Sequence, residues 1–198
     1  GPDYSYGWGK INATKAVDLI YEDENTNLIV EDEFKYTKEY DLYNISISSG
    51  QLKVTLVWGD YQGASLVNNL DLVADSPSGI KYYPWVLNPN SPATSATTGV
   101  DNSNNIEQVY VSSPEAGTWQ IKINATLISQ KNQTYSLVSN KELVLSEKYR
   151  FGRLEPYTIT TSKDVPQNST FNFSAGIRCV WGDCGNVSAL LDPETELA

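Results

Sequence analysis

Asparagine and aspartate side chains are concentrated around one run of the chain, Asn-Asn-Leu-Asp. The run contains Asn68, Asn69 and Asp71, and Asp60 and Asp75 lie close to it in sequence. Carboxylate and amide oxygens are the ligands that calcium prefers, because Ca²⁺ takes about six to eight oxygens from side chains, main-chain carbonyls and water. Asp and Asn are also frequent in ordinary turns. The residues therefore allow two interpretations, a calcium site or a set of turns.

A second oxygen-rich cluster, DNSNNIE, begins at Asp101 and ends at Glu107. Asp101, Asn105 and Glu107 are its candidate calcium ligands, and turn residues are again the alternative. A pair of carboxylates such as Asp71 and Glu107 could also hydrolyse a glycosidic bond if their separation were suitable. Nothing in the sequence fixes that separation, so we do not favour a hydrolytic pair.

The composition limits the chemistry that this chain can perform. It has 198 residues, no histidine and a net charge of −10. A Ser-His-Asp triad needs an imidazole as its general base, so we expect no serine protease activity from the chain alone. The negative charge disfavours nucleic acid as a partner, and no apolar run approaches the roughly 18–20 residues of a membrane span. The acidic runs at 22–24 and 31–33 are interpreted as solvated surface, with cation binding as the alternative.

Cysteines and glycosylation motifs indicate an extracellular or cell-surface protein. Cys179 and Cys184 are the only cysteines, and in a secreted chain they are expected to form a disulfide across a short hairpin loop. Asn-x-Ser/Thr motifs, which accept N-linked glycans only in secreted chains, are unusually frequent. They begin at Asn12, Asn44, Asn124, Asn132, Asn168, Asn172 and Asn186.

Strand patterns border both oxygen-rich clusters and must position them. Apolar and polar residues alternate over 34–42, 52–58 and 119–127, which predicts half-buried antiparallel strands. Helical spacing is limited to residues 10–21, and the segment 84–104 has no period and is predicted to be a long loop. Further strands are expected at 69–74, 105–111 and 134–139. The predicted fold class is therefore all-β, with one short N-terminal helix.

Two parts of the sequence resemble a known family. The run GWGKINATKA at residues 7–16 resembles the end of the catalytic domain of subtilisin-like serine proteases. The motifs LKVTLVWGD, LVNNLDLVADSPSG, DNSNNIEQVYVSSPEAGTWQIKINA and QTYSLVSN follow in the order found in the β-jelly-roll domain of secreted bacterial and archaeal members. The resemblance implies the end of a catalytic domain with a linker (1–27), a jelly roll (28–145) and a partial immunoglobulin-like β-sandwich (146–198).

The same resemblance implies a function. The chain is expected to be a non-catalytic, calcium-stabilised accessory domain of an extracellular, archaeal subtilisin-like serine endopeptidase, with the upstream protease domain as its partner. One alternative is a glycosylated surface or filament subunit that assembles by β-strand donation, because three strands in the last segment leave an apolar face uncovered. The other is a carbohydrate-binding module that uses Trp85 and Trp181.

Overall fold

A computed structural model describes residues 1–158, 175–182 and 184–185. The chain divides into two compact units, Gly1–Lys148 and Tyr149–Ala198, and each is described by itself. Three strands are expected in the last segment, and residues 159–174, 183 and 186–198 of that segment lie outside the described residues.

In the first unit a single helix, α1 (Ala13–Asp23), precedes a series of antiparallel strands. The strands are β1 (Ile29–Phe34), β2 (Tyr40–Ile47), β3 (Leu52–Trp58), β4 (Asn68–Asp75), β5 (Lys81–Tyr82), β6 (Trp85–Val86), β7 (Thr97–Thr98), β8 (Ile106–Val111), β9 (Gly117–Ile128), β10 (Gln133–Ser139) and β11 (Val144–Tyr149), whose last residue belongs to the second unit.

The strands of this unit form a jelly-roll sandwich. One sheet has the order β1-β10-β3-β8, and the other has the order β11-β2-β9-β4-β5. Eight of these strands, β1–β5 and β8–β10, follow the two-sheet winding of a jelly roll, and β11 extends the second sheet beside β2. The predicted all-β class is confirmed. β6 and β7 pair within the segment that was predicted to be a long loop.

The core lies between the two sheets, where the alternation in the sequence places it. One side of each strand points inward, so successive side chains are alternately buried and accessible. The fully buried side chains with the largest volumes come from both sheets. They are Trp58, Trp119, Tyr43, Phe34, Ile45, Leu52, Leu56, Leu70, Leu72, Ile121, Ile123 and Leu137.

The alternation over 34–42 does not form one continuous strand as predicted. β1 ends at Phe34 and β2 begins at Tyr40, with a turn between them in which Lys38 has a φ of 75°. Glu39 is fully buried, and its Oε2 accepts hydrogen bonds from the main-chain N–H groups of Lys35 and Tyr36. This carboxylate satisfies the main chain of the turn, a role that the period-two pattern cannot reveal.

The helix α1 is fixed at its start and exposed along its length. The side chain of Asn12 caps it by accepting a hydrogen bond from the N–H of Lys15 at 3.0 Å. None of its residues is buried, and the apolar side chains of Val17 and Ile20 are 48% and 58% exposed. No helix among the described residues is long and apolar enough to cross a membrane.

The second unit is described as a strand pair with a disulfide at one end. β12 (Arg153–Thr158) and β13 (Ala175–Trp181) are antiparallel. Cys179 and Cys184 are joined by a disulfide with an S–S distance of 2.05 Å. The partial immunoglobulin-like module remains a prediction, because most of its length lies outside the described residues.

Candidate metal centre

The edge strand β8 and the part of β4 that β5 does not cover bring the two oxygen-rich clusters of the sequence together. They belong to different sheets, and each lies at or near the same side of the sandwich. β4 pairs with β5 only at Ala74 and Asp75, so the main chain at Leu72 has no strand on that side. The N–H of Leu72 instead donates a hydrogen bond to Oε2 of Glu107 on β8, at 2.7 Å. The contact joins the two sheets directly.

Glu107 is the most deeply buried carboxylate of this site. Its exposed fraction is 0%, and its second oxygen, Oε1, has no hydrogen-bond partner among the residues that the structure describes. The pKa of Glu107 is raised from 4.5 to about 9, chiefly by burial; the bond from Leu72 opposes this rise, and the charges of Asp71 and Asp101 add to it. In the absence of a cation the side chain is therefore protonated at neutral pH.

Asp71 lies on β4 one residue before Leu72. Its Oδ2 accepts a hydrogen bond from the hydroxyl of Thr126 on β9, whereas its Oδ1 is buried and lacks a partner within the described part of the chain. Burial raises the pKa of Asp71, the bond from Thr126 lowers it, and the charge of Asp101 raises it. The charge of Asp101 thus disfavours the ionisation of both Asp71 and Glu107.

Asn69, near the start of β4, and Asp101, in the loop before β8, complete the cluster. The Nδ2 of Asn69 donates to Oδ1 of Asn102 at 2.9 Å, and its own Oδ1 is buried with no partner in the described residues. Asp101 is 2% exposed. Its carboxylate accepts hydrogen bonds from the main chain of Ser103 and from both the main chain and the side chain of Asn104. Asp101 thereby fixes the loop that leads into β8.

Three buried acceptor oxygens, on Asn69, Asp71 and Glu107, therefore have no hydrogen-bond partner in the described part of the chain. A buried oxygen without a donor is costly, by about 1–3 kcal/mol for an uncharged group and by more for a charged one. Among the described residues, no group of three or more His, Cys, Asp or Glu side chains has the spacing of a metal site. A bound cation would have to use the Asn69 amide and main-chain oxygens as well, as calcium does and zinc does not.

The remaining residues predicted as ligands have other partners. Asp60 accepts hydrogen bonds from the N–H groups of Val67 and Asn68, at 2.8 and 2.9 Å. Asp75 lies at the far end of β4 and forms a salt bridge with Lys81 at 2.8 Å. The side chain of Asn105 donates to the main-chain oxygen of Trp58. Each of these three residues therefore has a structural partner, and its role as a calcium ligand stays a prediction.

Asn68, which belongs to the same sequence run, has a structural role. It is fully buried, and its Oδ1 accepts hydrogen bonds from the N–H groups of Ser129 and Gln130. Its Nδ2 donates to the main-chain oxygen of Gln130 and to the side chain of Gln133. The amide joins the start of β4 to the loop between β9 and β10, which explains the asparagine without a metal.

Thr126 and Asn102 were not identified as site residues from the sequence. Thr126 belongs to a glycosylation motif, and it reaches Asp71 only because the register pairs Asp71 with Asn124, two residues earlier on β9. Asn102 follows Asp101 directly, and its position in the second oxygen-rich cluster was the only signal available. Strand register was the missing information for Thr126.

The acidic runs are engaged with neighbouring groups. The carboxylate of Asp23 accepts hydrogen bonds from the N–H groups of Leu28 and Ile29, and Asp32 forms an ion pair with Lys148. These contacts give both runs a structural explanation that needs no cation.

The tryptophans proposed for sugar stacking are in different situations. Trp85 is half-buried, and a Cβ atom added to Gly1 would lie 2.9 Å from its ring, so the first residue of the chain lies against it. The side chain of Trp181 lies outside what the structure describes. No observation in the described residues favours sugar stacking on either ring.

The glycosylation motifs within the described chain occupy three kinds of position. Asn12 caps α1, Asn132 has a left-handed φ of 65° in an exposed turn, and Asn44 and Asn124 lie in β2 and β9. The register places Asn44 and Asn124 on the outer face of the second sheet. Asn168, Asn172 and Asn186 lie outside the described residues.

The fold and the site together define an antiparallel jelly-roll domain with a buried oxygen-rich cluster at one edge. No family model matches the chain. The sequence is 30% identical over 150 residues to a serine protease/ABC transporter B family protein, tagA, of Dictyostelium discoideum. The alignment takes in 69% of this chain and 8% of that protein, so the chain spans less than a tenth of its length.

Proposed function

We propose that this chain is a non-catalytic, calcium-stabilised accessory domain of an extracellular subtilisin-like serine protease. The observation that carries the calcium part is the group of three buried acceptor oxygens, on Asn69, Asp71 and Glu107, that lack donors among the described residues. The protease part is supported by the resemblance of residues 7–16 to the end of a subtilisin-like catalytic domain. It is also supported by the similarity to the serine protease/ABC transporter B family protein of Dictyostelium discoideum.

Calcium would supply the positive charge that this cluster lacks. Asn69 and Asp71 on β4 and Glu107 on β8 would hold the ion, and Thr126 would orient Asp71 through its hydroxyl. Because the ligands come from both sheets, binding would oppose the separation of β4 from β8. The ion would therefore act on stability, by binding the folded state and not the unfolded one.

The exposed helix α1 supports attachment to an upstream domain. Ile11, just before the helix, is 91% exposed, and Val17 and Ile20 are exposed on the helix itself. An 11-residue helix without a buried residue is marginal in water by itself and gains stability chiefly from packing an apolar face. In the proposed protein this face packs against the catalytic domain that precedes it.

The lack of histidine supports an accessory role rather than a catalytic one. The purified chain should neither hydrolyse casein nor react with a serine-directed fluorophosphonate. Reproducible turnover that this inhibitor blocks would show that the chain is itself an enzyme and would overturn the proposal. The disulfide and the glycosylation motifs support an extracellular setting.

Thermal unfolding in calcium and in chelator tests the calcium part. A ligand at a hundredfold excess over its Kd stabilises the folded state by about 2.7 kcal/mol, so calcium should raise the Tm. Asp71→Asn should remove most of this response. Asp75→Asn is the matched control, because Asp75 lies on the same strand but is paired with Lys81, and it should keep the response. Equal responses in both variants would contradict the proposed ligand set.

A filament or surface subunit is the second candidate, and one observation favours it. The edge strand β11 has apolar side chains exposed on successive residues, with Val144 and Leu145 at 54% and 48%. An exposed apolar edge strand is a template for pairing with another chain. Light scattering distinguishes the two candidates, because an accessory domain should be monomeric, whereas a strand-exchanging subunit should form polymers that grow with concentration.

A further inference from the structure

A second feature of the jelly roll is a polar groove of about 390 Å³ on the outer face of the five-stranded sheet. Its floor is a row of side chains across three strands, formed by Asn44 on β2, Gln120 on β9 and Asp75 on β4, which the registers place side by side. Thr118 also lies in the lining. The groove is more than 10 Å from Asp71 along β4, at about 3.3 Å per residue, and is distinct from the metal centre.

One wall of the groove is a turn that the structure holds rigidly. The turn contains Ser76, Pro77 and Gly79, which line the groove. The carboxylate of Glu115 accepts hydrogen bonds from the N–H of Ser78 at 3.0 Å and from its hydroxyl at 2.7 Å. A Cβ atom on Gly117 would lie 2.7 Å from the ring of Pro77, so only a glycine fits beneath this wall. The groove is therefore formed before anything binds in it.

Asn44 lines this groove, and no contact described so far explains why a polar residue occupies this position. It begins the motif Asn44-Ile45-Ser46, in which Ile45 is buried and Ser46 is exposed. The Oδ1 atom of Asn44 is buried and has no hydrogen-bond partner among the described residues. A partly buried asparagine in the middle of a strand gains little from this arrangement by itself, because no hydrogen bond from the described residues offsets the desolvation of its Oδ1 atom.

The groove has the size and the lining for a sugar ring. Its volume corresponds to roughly a dozen water molecules at about 30 Å³ each, which is enough for one N-acetylated hexosamine. The amide of Gln120 and the hydroxyls of Thr118 and Ser76 can bond sugar hydroxyls and the N-acetyl group, and the ring of Pro77 offers an apolar wall. Asp75 is the one charged side chain among these lining residues, and its negative charge is paired with Lys81.

We propose that Asn44 is N-glycosylated and that the first sugar of its glycan, an N-acetylhexosamine, lies in this groove. In the reaction the Nδ2 atom of Asn44 forms a bond to C1 of the sugar, the bond from C1 to the diphosphate of a lipid-linked donor breaks, and one amide proton is lost. The lipid diphosphate leaves, and no electrons are exchanged. The proposal rests on the extracellular setting above and is independent of the calcium site.

Glycopeptide mass spectrometry of the secreted chain tests this directly. For this experiment a flexible linker with a second Asn-Ile-Ser acceptor is added to the C-terminus as a tag. The protein is expressed in a host that modifies this tag. The peptide that contains Asn44 should bear a glycan. Asn44→Gln and Ser46→Ala should abolish it, and Ser46→Thr should keep it, because threonine preserves the acceptor motif. Ser46 is exposed, so its variants should fold normally.

Enzymatic release of the glycan tests the docking in the groove. A peptide N-glycosidase should release the Asn44 glycan about tenfold more slowly from the native chain than from the denatured chain, which corresponds to about 1.4 kcal/mol of docking free energy. The tag glycan should be released at similar rates from both. An unmodified Asn44 in a chain with a modified tag would overturn the proposal. So would equally fast release from native and denatured protein, because the sugar would then not lie in the groove.

Discussion

Two aspartates on the same face of β4 meet opposite environments. Asp71 lies where the strand edge faces β8, and its pKa is raised by burial and by the charge of Asp101. Asp75 lies four residues further on, where β5 begins to pair, and it is neutralised by Lys81 at 2.8 Å. The two residues have the same type, face and strand, so the difference comes from the strand edge and from the presence of a lysine.

The comparison shows why only one end of β4 is a candidate for metal binding. A bound cation stabilises a carboxylate that already has a cationic partner only slightly. It stabilises neighbouring carboxylates, whose negative charges repel one another, much more. At the Asp71 end, the uncompensated carboxyl of Glu107 lies close by, with one oxygen lacking a donor in the described chain. The predictions below separate the two ends, beginning with the largest effect.

Glu107→Gln should have an effect that depends on calcium. With calcium at a hundredfold excess over Kd, the variant should lose about 2.7 kcal/mol of unfolding free energy, because its amide replaces a charged ligand. In chelator it should be as stable as the parent chain, since the parent's Glu107 is protonated at neutral pH and glutamine also accepts the bond from Leu72. Denaturant unfolding in both buffers measures this. A loss of equal size in chelator would indicate a packing defect instead.

The calcium-free chain should become less stable as pH rises. Because the pKa of Glu107 is raised from 4.5 in the unfolded chain to about 9 in the folded chain, the folded state binds its proton more tightly. This contribution is complete below pH 4.5 and is lost as pH rises toward 9. Between about pH 6 and 8 the slope should approach about 1.4 kcal/mol per pH unit. Saturating calcium should remove this decline, and a flat profile in chelator would contradict the assigned protonation.

Thr126→Val should weaken the metal centre moderately. The variant removes the hydroxyl that donates to Asp71 and keeps the shape of the side chain, so the carboxylate should be less well oriented for an ion. We expect calcium affinity to fall by about tenfold, with a loss of about 1 kcal/mol in chelator. Thr118→Val on the same strand is the control, because Thr118 lies far from Asp71. Indistinguishable affinities for the two variants would remove Thr126 from the site.

Lys81→Ala should have the smallest effect. Its bond to Asp75 is an exposed salt bridge, and such pairs contribute about 0.2–1 kcal/mol. The calcium response should be unchanged, because Asp75 takes no part in the proposed ligand set. Thermal unfolding at low and high salt measures both quantities. A larger calcium response in this variant would mean that the released Asp75 binds the ion. Both ends of β4 would then be able to bind calcium.

The sequence predicted the strands better than it predicted the contacts between them. Alternation over residues 52–58 and 119–127 identified two central strands, because burial on one face imposes a period of two. It failed at residues 35–39, where buried Glu39 satisfies a turn. Composition alone could not show that Glu107 crosses between sheets to Leu72, since that contact depends on how the edge strand β8 meets the part of β4 that β5 does not cover.

The ligand set proposed from the structure is smaller than the predicted one for the same reason. Asp60, Asp75 and Asn105 have the residue types of calcium ligands, but their oxygens or amides are engaged with Val67, Lys81 and Trp58. These partners are several or many residues away along the chain. Residue type could therefore indicate the chemistry of the region, whereas burial and register were needed to separate Asp71 from its neighbours.

A crystal structure of the chain grown in calcium tests the central claim most directly. We predict an ion at about 2.3–2.6 Å from Oδ1 of Asn69, Oδ1 of Asp71 and Oε1 of Glu107, with anomalous scattering that disappears in Asp71→Asn crystals. Asp75 should remain paired with Lys81 in both. An ion bound instead at Asp75 or Asp60, or well-ordered waters donating to the three buried oxygens with no ion present, would contradict the account.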